Sequence, residues 1–350
     1  MISRVVSAFI IGLLLSVSSG PANAQQSTRV AFGCCFNHSE RQPVFDGLHR
    51  SDPEVFVFLG NVLDVDADDM DDMLEAYEVF NRFRGPKVLR RQSAVMSVWN
   101  LTDYRIDGHT GANNPAKHAV KNHFLTYWRE PISSPRMFQE HGLAKSIIIG
   151  NEPQRVQVIV LDGRWNRDAL TQVGWFERVA RSMDEQLGPY LRNPAGRLLG
   201  EAQWQWLAEQ LQKPAEVRVL MSATPFYAPA NGYDSWAMYS QEQQRLEQLL
   251  QELQPEGLVL AVGDRGFGEF SKVEGVVDYP LWQVTAGWMS AENQDAYNSD
   301  VRNGAAYPKS RYGQIEVLWR DTPELKLSLR DVDGRPLTTK TLLLPKVSPN

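Results

Sequence analysis

Several apolar runs of this chain end in a residue able to hold a cation or an anion. The run Leu258–Val262 is followed by Gly263, Asp264, Arg265 and Gly266; another closes on Asp162-Gly163-Arg164, and earlier ones on Cys34-Cys35, Gly60-Asn61 and Asn100 to Asp103. Carboxylates, amides and a thiol at such positions suit hard or borderline metal ions, and the guanidinium forks of Arg164 and Arg265 suit phosphate. Imidazole is scarce, because no histidine follows His141. The strand leading to Asp264 therefore offers a carboxylate, but puts glycine where metal chemistry would favour a histidine.

Strands must carry these groups. A continuous apolar run bounded by glycine reads as a strand buried on both faces, and α/β proteins keep their ligands beyond the carboxyl ends of such strands. Strands are expected at 28–35, 55–60 and 94–99, with helices at 42–50 and 71–84 between them, a β-α-β-α-β rhythm. Residues 143–149 and 155–161 read as a hairpin split by Gly150-Asn151-Glu152-Pro153. A helix is expected at 119–128, a long excursion with a helix in its middle at 166–193, and helices at 198–211 and 241–253 around a strand at 217–222. The tail reads as β, at 281–285, 313–319, 325–329 and 338–344, with Asp333-Gly334 as the last turn. No repeat or linker interrupts residues 25–350, so one domain built on two sheets is expected.

At 350 residues, 43% apolar and 22% charged, the composition is that of a globular α/β chain. The net charge of −6 gives no footprint for nucleic acid. Residues 1–24 carry Arg4, an apolar stretch at 5–17 and a small-residue end at Ala22-Asn23-Ala24, the three regions of a secretory signal. The stretch is shorter than the ~20 residues a spanning helix needs. A mature chain starting near Gln25, without a membrane anchor and located in the periplasm or outside the cell, is the expectation. Cys34 and Cys35 are the only cysteines, and adjacent cysteines cannot staple a fold. They are either small buried hydrophobes or residues of metal-ligand origin.

The order of these pieces resembles the alkaline phosphatase D (PhoD-like) branch of the calcineurin-like metallophosphoesterases. The matching pieces are Phe32-Gly33-Cys34-Cys35, Leu59-Gly60-Asn61 with Asp66 beyond, Val98-Trp99 with Asp103-Tyr104, Leu161-Asp162-Gly163-Arg164, Gly200-Glu201-Ala202-Gln203-Trp204-Gln205-Trp206-Leu207 and Gly263-Asp264-Arg265. The resemblance implies a four-layer sandwich, two packed mixed sheets flanked by helices. It also implies a divalent or trivalent metal centre, iron, calcium or similar, that hydrolyses phosphate esters through two ions about 3.5–4 Å apart.

Carried over position by position, the resemblance makes Cys35, Asn61, Asp66, Asn100, Asp103 and Asp264 the metal set, whether as relics or as an atypical site. Asn61 stands where the family has a bridging aspartate, Leu101 and Thr102 where it has an aspartate and a proton-donating histidine, and Gly266 where it has a metal-binding histidine. An amide leaves the repulsion between two cations largely uncompensated, leucine cannot ligate, and a threonine hydroxyl is no substitute for an imidazole as proton donor. No residue is therefore assigned as catalytic.

Three readings follow: a binding or accessory module that has lost hydrolysis, an active phosphoesterase with an atypical metal site, and a structural protein with a filled cleft. The expected ligand is a phosphate ester or another anion. Arg164 and Arg265 are the candidate phosphate contacts, against the alternative of local ion pairs. Asp103 is either a former ligand or a turn residue beside Tyr104. His109, His118 and His123 read as solvated loop residues, residues 64–72 as an acidic helix start, and Trp204, Trp206, Trp282 and Trp288 as packing.

Overall fold

The computed structural model describes residues 27–39, 42–63, 70–104, 111–263, 265–290 and 296–344. Asp66, His109, Asp264 and the N-terminal segment lie outside them.

In chain order the elements are β1 (Ser27–Gly33), α1 (Val44–Ser51), β2 (Val55–Leu59), α2 (Met70–Arg82), α3 (Arg84–Gln92), β3 (Ala94–Val98), α4 (Leu101–Tyr104), α5 (Lys117–Tyr127), β4 (Lys145–Ile149), β5 (Val156–Val160), α6 (Trp175–Arg181), α7 (Glu201–Leu211), β6 (Val217–Ser222), α8 (Ser240–Leu253), β7 (Leu258–Val262), β8 (Glu269–Val273), β9 (Leu281–Thr285), β10 (Tyr312–Leu318), β11 (Glu324–Arg330) and β12 (Pro336–Leu343). They build two six-stranded sheets, ordered β12-β11-β10-β1-β2-β3 and β4-β5-β6-β7-β9-β8. Both are mixed. β1, β2 and β3 run parallel beside the antiparallel tail strands, and β5, β6, β7 and β9 run parallel between antiparallel edges.

The two-residue period of each strand sorts its side chains into layers. Val55, Val57 and Leu59 of β2 share a core with Val156, Val158 and Val160 of β5 and with Val219 and Val259, between the sheets. The alternate residues Phe56 and Phe58 pack outward with Phe45 and Leu48 of α1 and Leu89 of α3. Likewise Leu258, Leu260 and Val262 of β7 pack outward against Leu207 of α7 and Leu246 and Leu250 of α8. A strand buried on both faces must be apolar throughout, which is why these strands read as continuous runs. The result is the four-layer sandwich, helices outside two packed sheets.

Three elements escaped the pattern, the one-turn helix α4 among them. The expected helix 71–84 stops at Arg82 and a second one, α3, begins at Arg84; Pro86 sits in its first turn, where a missing N–H breaks no intrahelical bond. β8 is short and mixes polar with apolar residues without a clean alternation, so it carries no strong signal alone. His118 and His123 lie on α5 and not in a loop, and the His118 ring meets Trp165 edge-on at 5.1 Å.

Candidate functional site

The carboxyl ends of both sheets meet at one rim. Gly263, after β7, sits so close to β1 that a Cβ there would come within 2.9 Å of Cys34 Sγ. Gly60 follows β2 with φ of 83°, a conformation that favours glycine, and its Cα faces Asn100 so closely that a Cβ would lie 2.3 Å from the Asn100 nitrogen. Across the sheets, Trp99 Nε1 donates to Asp162 Oδ1 at 2.8 Å. Cys35, Asn61, Asn100, Asp103 and Arg164 are thus brought to one edge, together with Arg265.

Each described group there has work within the fold. The Asp103 carboxylate is fully buried and accepts four backbone N–H groups: Val62 at 2.9 Å, Leu63 at 3.3 Å, Asn100 at 3.0 Å and Asn61. Four donors saturate the acceptor sites of a carboxylate. Burial nevertheless pushes its pKa up to about 6, because desolvation outweighs the pull of those donors. Asp162 is built alike, taking the Trp99 indole and the N–H groups of Leu143, Arg164 and Trp165, and burial raises its pKa too. Asn61, at φ of 49°, directs Oδ1 to the backbone N–H of Thr102 at 3.1 Å and Nδ2 to Cys35 Sγ at 3.8 Å. The Thr102 hydroxyl lies 2.6 Å from the Leu63 carbonyl, so its proton is held inside the loop.

Arg164 takes up the remaining oxygen. Its Nε donates to Asn100 Oδ1 at 2.8 Å and its Nη2 bonds the same atom, while Nη2 also reaches Asp234 Oδ2 at 2.7 Å. Arg167 grips Asp234 bidentately, at 2.8 and 2.7 Å, and donates Nε to Tyr239 Oη at 2.7 Å. Arg265 donates Nε to Tyr297 Oη at 3.0 Å and Nη2 to the Asp234 carbonyl. Three guanidiniums, only 4, 5 and 7% exposed for Arg164, Arg167 and Arg265, therefore converge on Asp234. Burial by itself would raise that carboxyl, but Arg167 and then Arg164 outweigh it and hold it well below the usual carboxylate range. Asn100 Nδ2, also buried, has no partner among the described residues.

The order of the scaffold string 200–207 has an equally concrete cause. Gln203 Oε1 accepts the Asp162 N–H at 2.8 Å and its Nε2 returns a bond to the Asp162 carbonyl at 2.8 Å, fixing the turn after β5. Trp204 is buried and donates Nε1 to Glu242, whose carboxylate also takes the N–H groups of Leu198 and Leu199. Trp282 is buried, whereas Trp206 and Trp288 pack half-buried at the core margins.

Among the described residues, these donors do not fit a pair of cations. Among the described residues no three His, Cys, Asp or Glu side chains gather closely enough to hold a metal ion. The Asp103 oxygens are saturated by N–H groups, Asn100 Oδ1 is taken by a guanidinium, and two neutral amides cannot offset the charge of two ions. Asp234, Arg167 and Tyr239 carry no sequence signal of a site. Asp234 lies 70 residues beyond Arg164, and nothing local to Asn231-Gly232-Tyr233-Asp234 distinguishes a buried hub from an ordinary loop.

No known family's sequence profile matches the chain, and no curated protein matches it in sequence. Solved structures do. A structure of PhoD superposes with a TM-score of 0.64 at 13% identity, over 95% of this chain and 73% of that one. GAP50, described as the anchor in the inner membrane complex of Plasmodium, gives 0.55 at 12% identity, over 92% and 90%. The purple acid phosphatase PPD1 from yellow lupin seeds gives 0.55 at 12% identity over 90% of this chain, which spans 53% of that one. The chain has the metallophosphatase fold.

Proposed function

We propose that this is an exported, PhoD-like phosphatase-fold protein in which two-metal hydrolysis is impaired or lost, and which serves as a binding or accessory module. One observation carries the reading: the amide oxygen of Asn100, a ligand position by resemblance, holds the Arg164 guanidinium, which is tied in turn to Asp234. A fixed positive charge on a side chain occupies that oxygen, so a metal ion would have to displace a buried ion pair. The fold is compatible with a role other than hydrolysis, since one solved protein that shares it is described as an anchor.

Binding of a phosphate ester or other anion is supported by the two guanidiniums, Arg164 and Arg167, that share the single carboxylate of Asp234. The buried Nδ2 of Asn100 is a spare donor beside it.

The decisive measurement is metal content of the purified chain together with turnover of a generic phosphomonoester and phosphodiester, before and after incubation with iron and calcium. Substoichiometric metal and background hydrolysis are expected. Two ions per chain, with turnover abolished by Cys35→Ser and by Asp264→Ala, would establish an active phosphoesterase with an atypical site instead.

A further inference from the structure

A cleft of about 580 Å³ opens where the turn between β11 and β12 meets the end of α1, lined by Arg50, Ser51, Arg330, Asp333, Gly334 and Arg335. None of these residues belongs to the rim. Three guanidiniums, brought in by two distant chain segments, share the cleft with the single carboxylate of Asp333.

The walls are fixed by backbone contacts. Asp331 N donates to the Arg335 carbonyl and Gly334 N to the Asp331 carbonyl, both at 3.0 Å, and Gly334 takes a φ of 80° that favours glycine. The nearby Asp331 carboxylate is spent on the same turn, its Oδ1 accepting the N–H groups of Asp333 at 3.0 Å and Arg335 at 2.8 Å. Gly47 of α1 lies against this turn so closely that a Cβ there would come within 2.6 Å of the Gly334 nitrogen. Helix and turn therefore hold their arginines in a set relation.

These cations are positioned but hardly neutralised. Arg50 Nη2 donates to the Asp333 carbonyl at 2.6 Å and Arg330 Nη1 to the Gly334 carbonyl at 2.7 Å. Both acceptors are neutral, so each guanidinium keeps its charge and its other donors. Arg335 meets Asp333 at 3.2 Å, but the two side chains are 77 and 53% exposed, and a pair so exposed is worth little. Arg330 is half-buried, and its Nε is shut off from solvent with no partner among the described residues. A guanidinium partly stripped of water and bonded only to a neutral oxygen lacks a counter-charge, which a bound anion would supply. A carboxylate offers two oxygens in one plane and matches one arginine fork, as Asp234 does with Arg167. A tetrahedral oxyanion offers oxygens in several directions and suits forks that arrive from α1 and from both sides of a turn.

We propose that this cleft is a second anion site, separate from the rim, that takes a phosphate or sulfate group. Arginine labelling with phenylglyoxal, read residue by residue by mass spectrometry, tests it on the purified chain at about 0.1 M ionic strength, where charges not in contact are largely screened. Inorganic phosphate or sulfate at ~10 mM is expected to slow labelling of Arg50, Arg330 and Arg335 at least about fivefold and to leave the exposed Arg192 unaffected. Acetate at the same concentration should protect none of them. Arg50→Gln, a change at an exposed position that should leave the urea midpoint unaltered, is expected to remove the protection of Arg330 and Arg335. Unprotected cleft arginines, equal slowing at Arg192, equal protection by acetate, or protection of Arg330 and Arg335 that survives Arg50→Gln each overturn the proposal. Protection confined to Arg164, Arg167 and Arg265 overturns it too, and leaves the rim as the anion site.

Discussion

The arginine rim and the 175–191 excursion invert each other. At the rim, charged side chains are buried and bonded to partners inside the fold. In the excursion, large apolar side chains stand in water while the backbone beneath them is bonded in place. A short strip, Asn231 to Asp234, supports both: Asn231 and Gly232 hold the excursion, and Asp234 gathers the arginines. A buried charge cluster costs desolvation energy and persists only when its geometry is closed, so perturbing the rim should act on stability. An exposed apolar patch contributes little to folding, so perturbing the excursion should leave stability nearly unchanged.

The largest effect is expected from Asp234→Ala, which strands the buried guanidiniums of Arg164 and Arg167; urea denaturation should show a loss of about 3–5 kcal/mol. A loss below about 1 kcal/mol would mean the arginines re-pair or hydrate readily and the hub is not closed. Next comes Asp103→Asn, where an amide NH₂ faces backbone donors that now share a carboxylate. A loss of about 2–4 kcal/mol is expected, again by denaturation, and unchanged stability would remove Asp103 from its clamping role.

The pH dependence separates the two carboxylates. Asp103 has its folded pKa raised to about 6, so the native state binds more protons than the unfolded chain between the usual carboxylate value near 4 and about 6, and Asp103 makes stability fall as pH rises through that window. Asp234 is depressed, so its contribution is present above the usual carboxylate pKa and is lost as pH falls below it. Denaturation midpoints taken from pH 3 to pH 7 should therefore show Asp234→Asn losing the acid-side decline and Asp103→Asn losing the decline toward pH 6; identical profiles for the two variants would contradict the opposed shifts. The smallest effect is expected from Phe176→Ser, within about 0.5 kcal/mol of wild-type stability. A larger loss would show that the excursion packs against the body of its own chain.

Much of the architecture was legible because fully buried strands leave a signature in one dimension. The runs that became β2, β5 and β7, the hairpin of β4 with β5, and the last turn at Asp333-Gly334 all lie where periodicity and turn residues put them. The ends of those strands also marked the rim, since Asn61, Asn100, Asp103, Arg164 and Arg265 do meet there. What each of these groups binds was not legible. Asp103 is surrounded by N–H groups from two separate loops, and Arg164 finds an amide 64 residues before it and a carboxylate 70 residues after it.

Composition and local period determined the α/β class and the strands buried on both faces, and the motif resemblance implied the replacement at Asn61, Leu101, Thr102 and Gly266 of the types that two-metal chemistry favours. Only the tertiary structure decided that Asp234 is the hub of three arginines, that Asn100 holds a guanidinium, and that the apolar residues of α6 face outward. Burial and strand period repeat along the chain and can be read from neighbours in sequence. The pairing of one buried charge with another depends on which loops the two sheets bring together, and no spacing in the sequence encodes that distance.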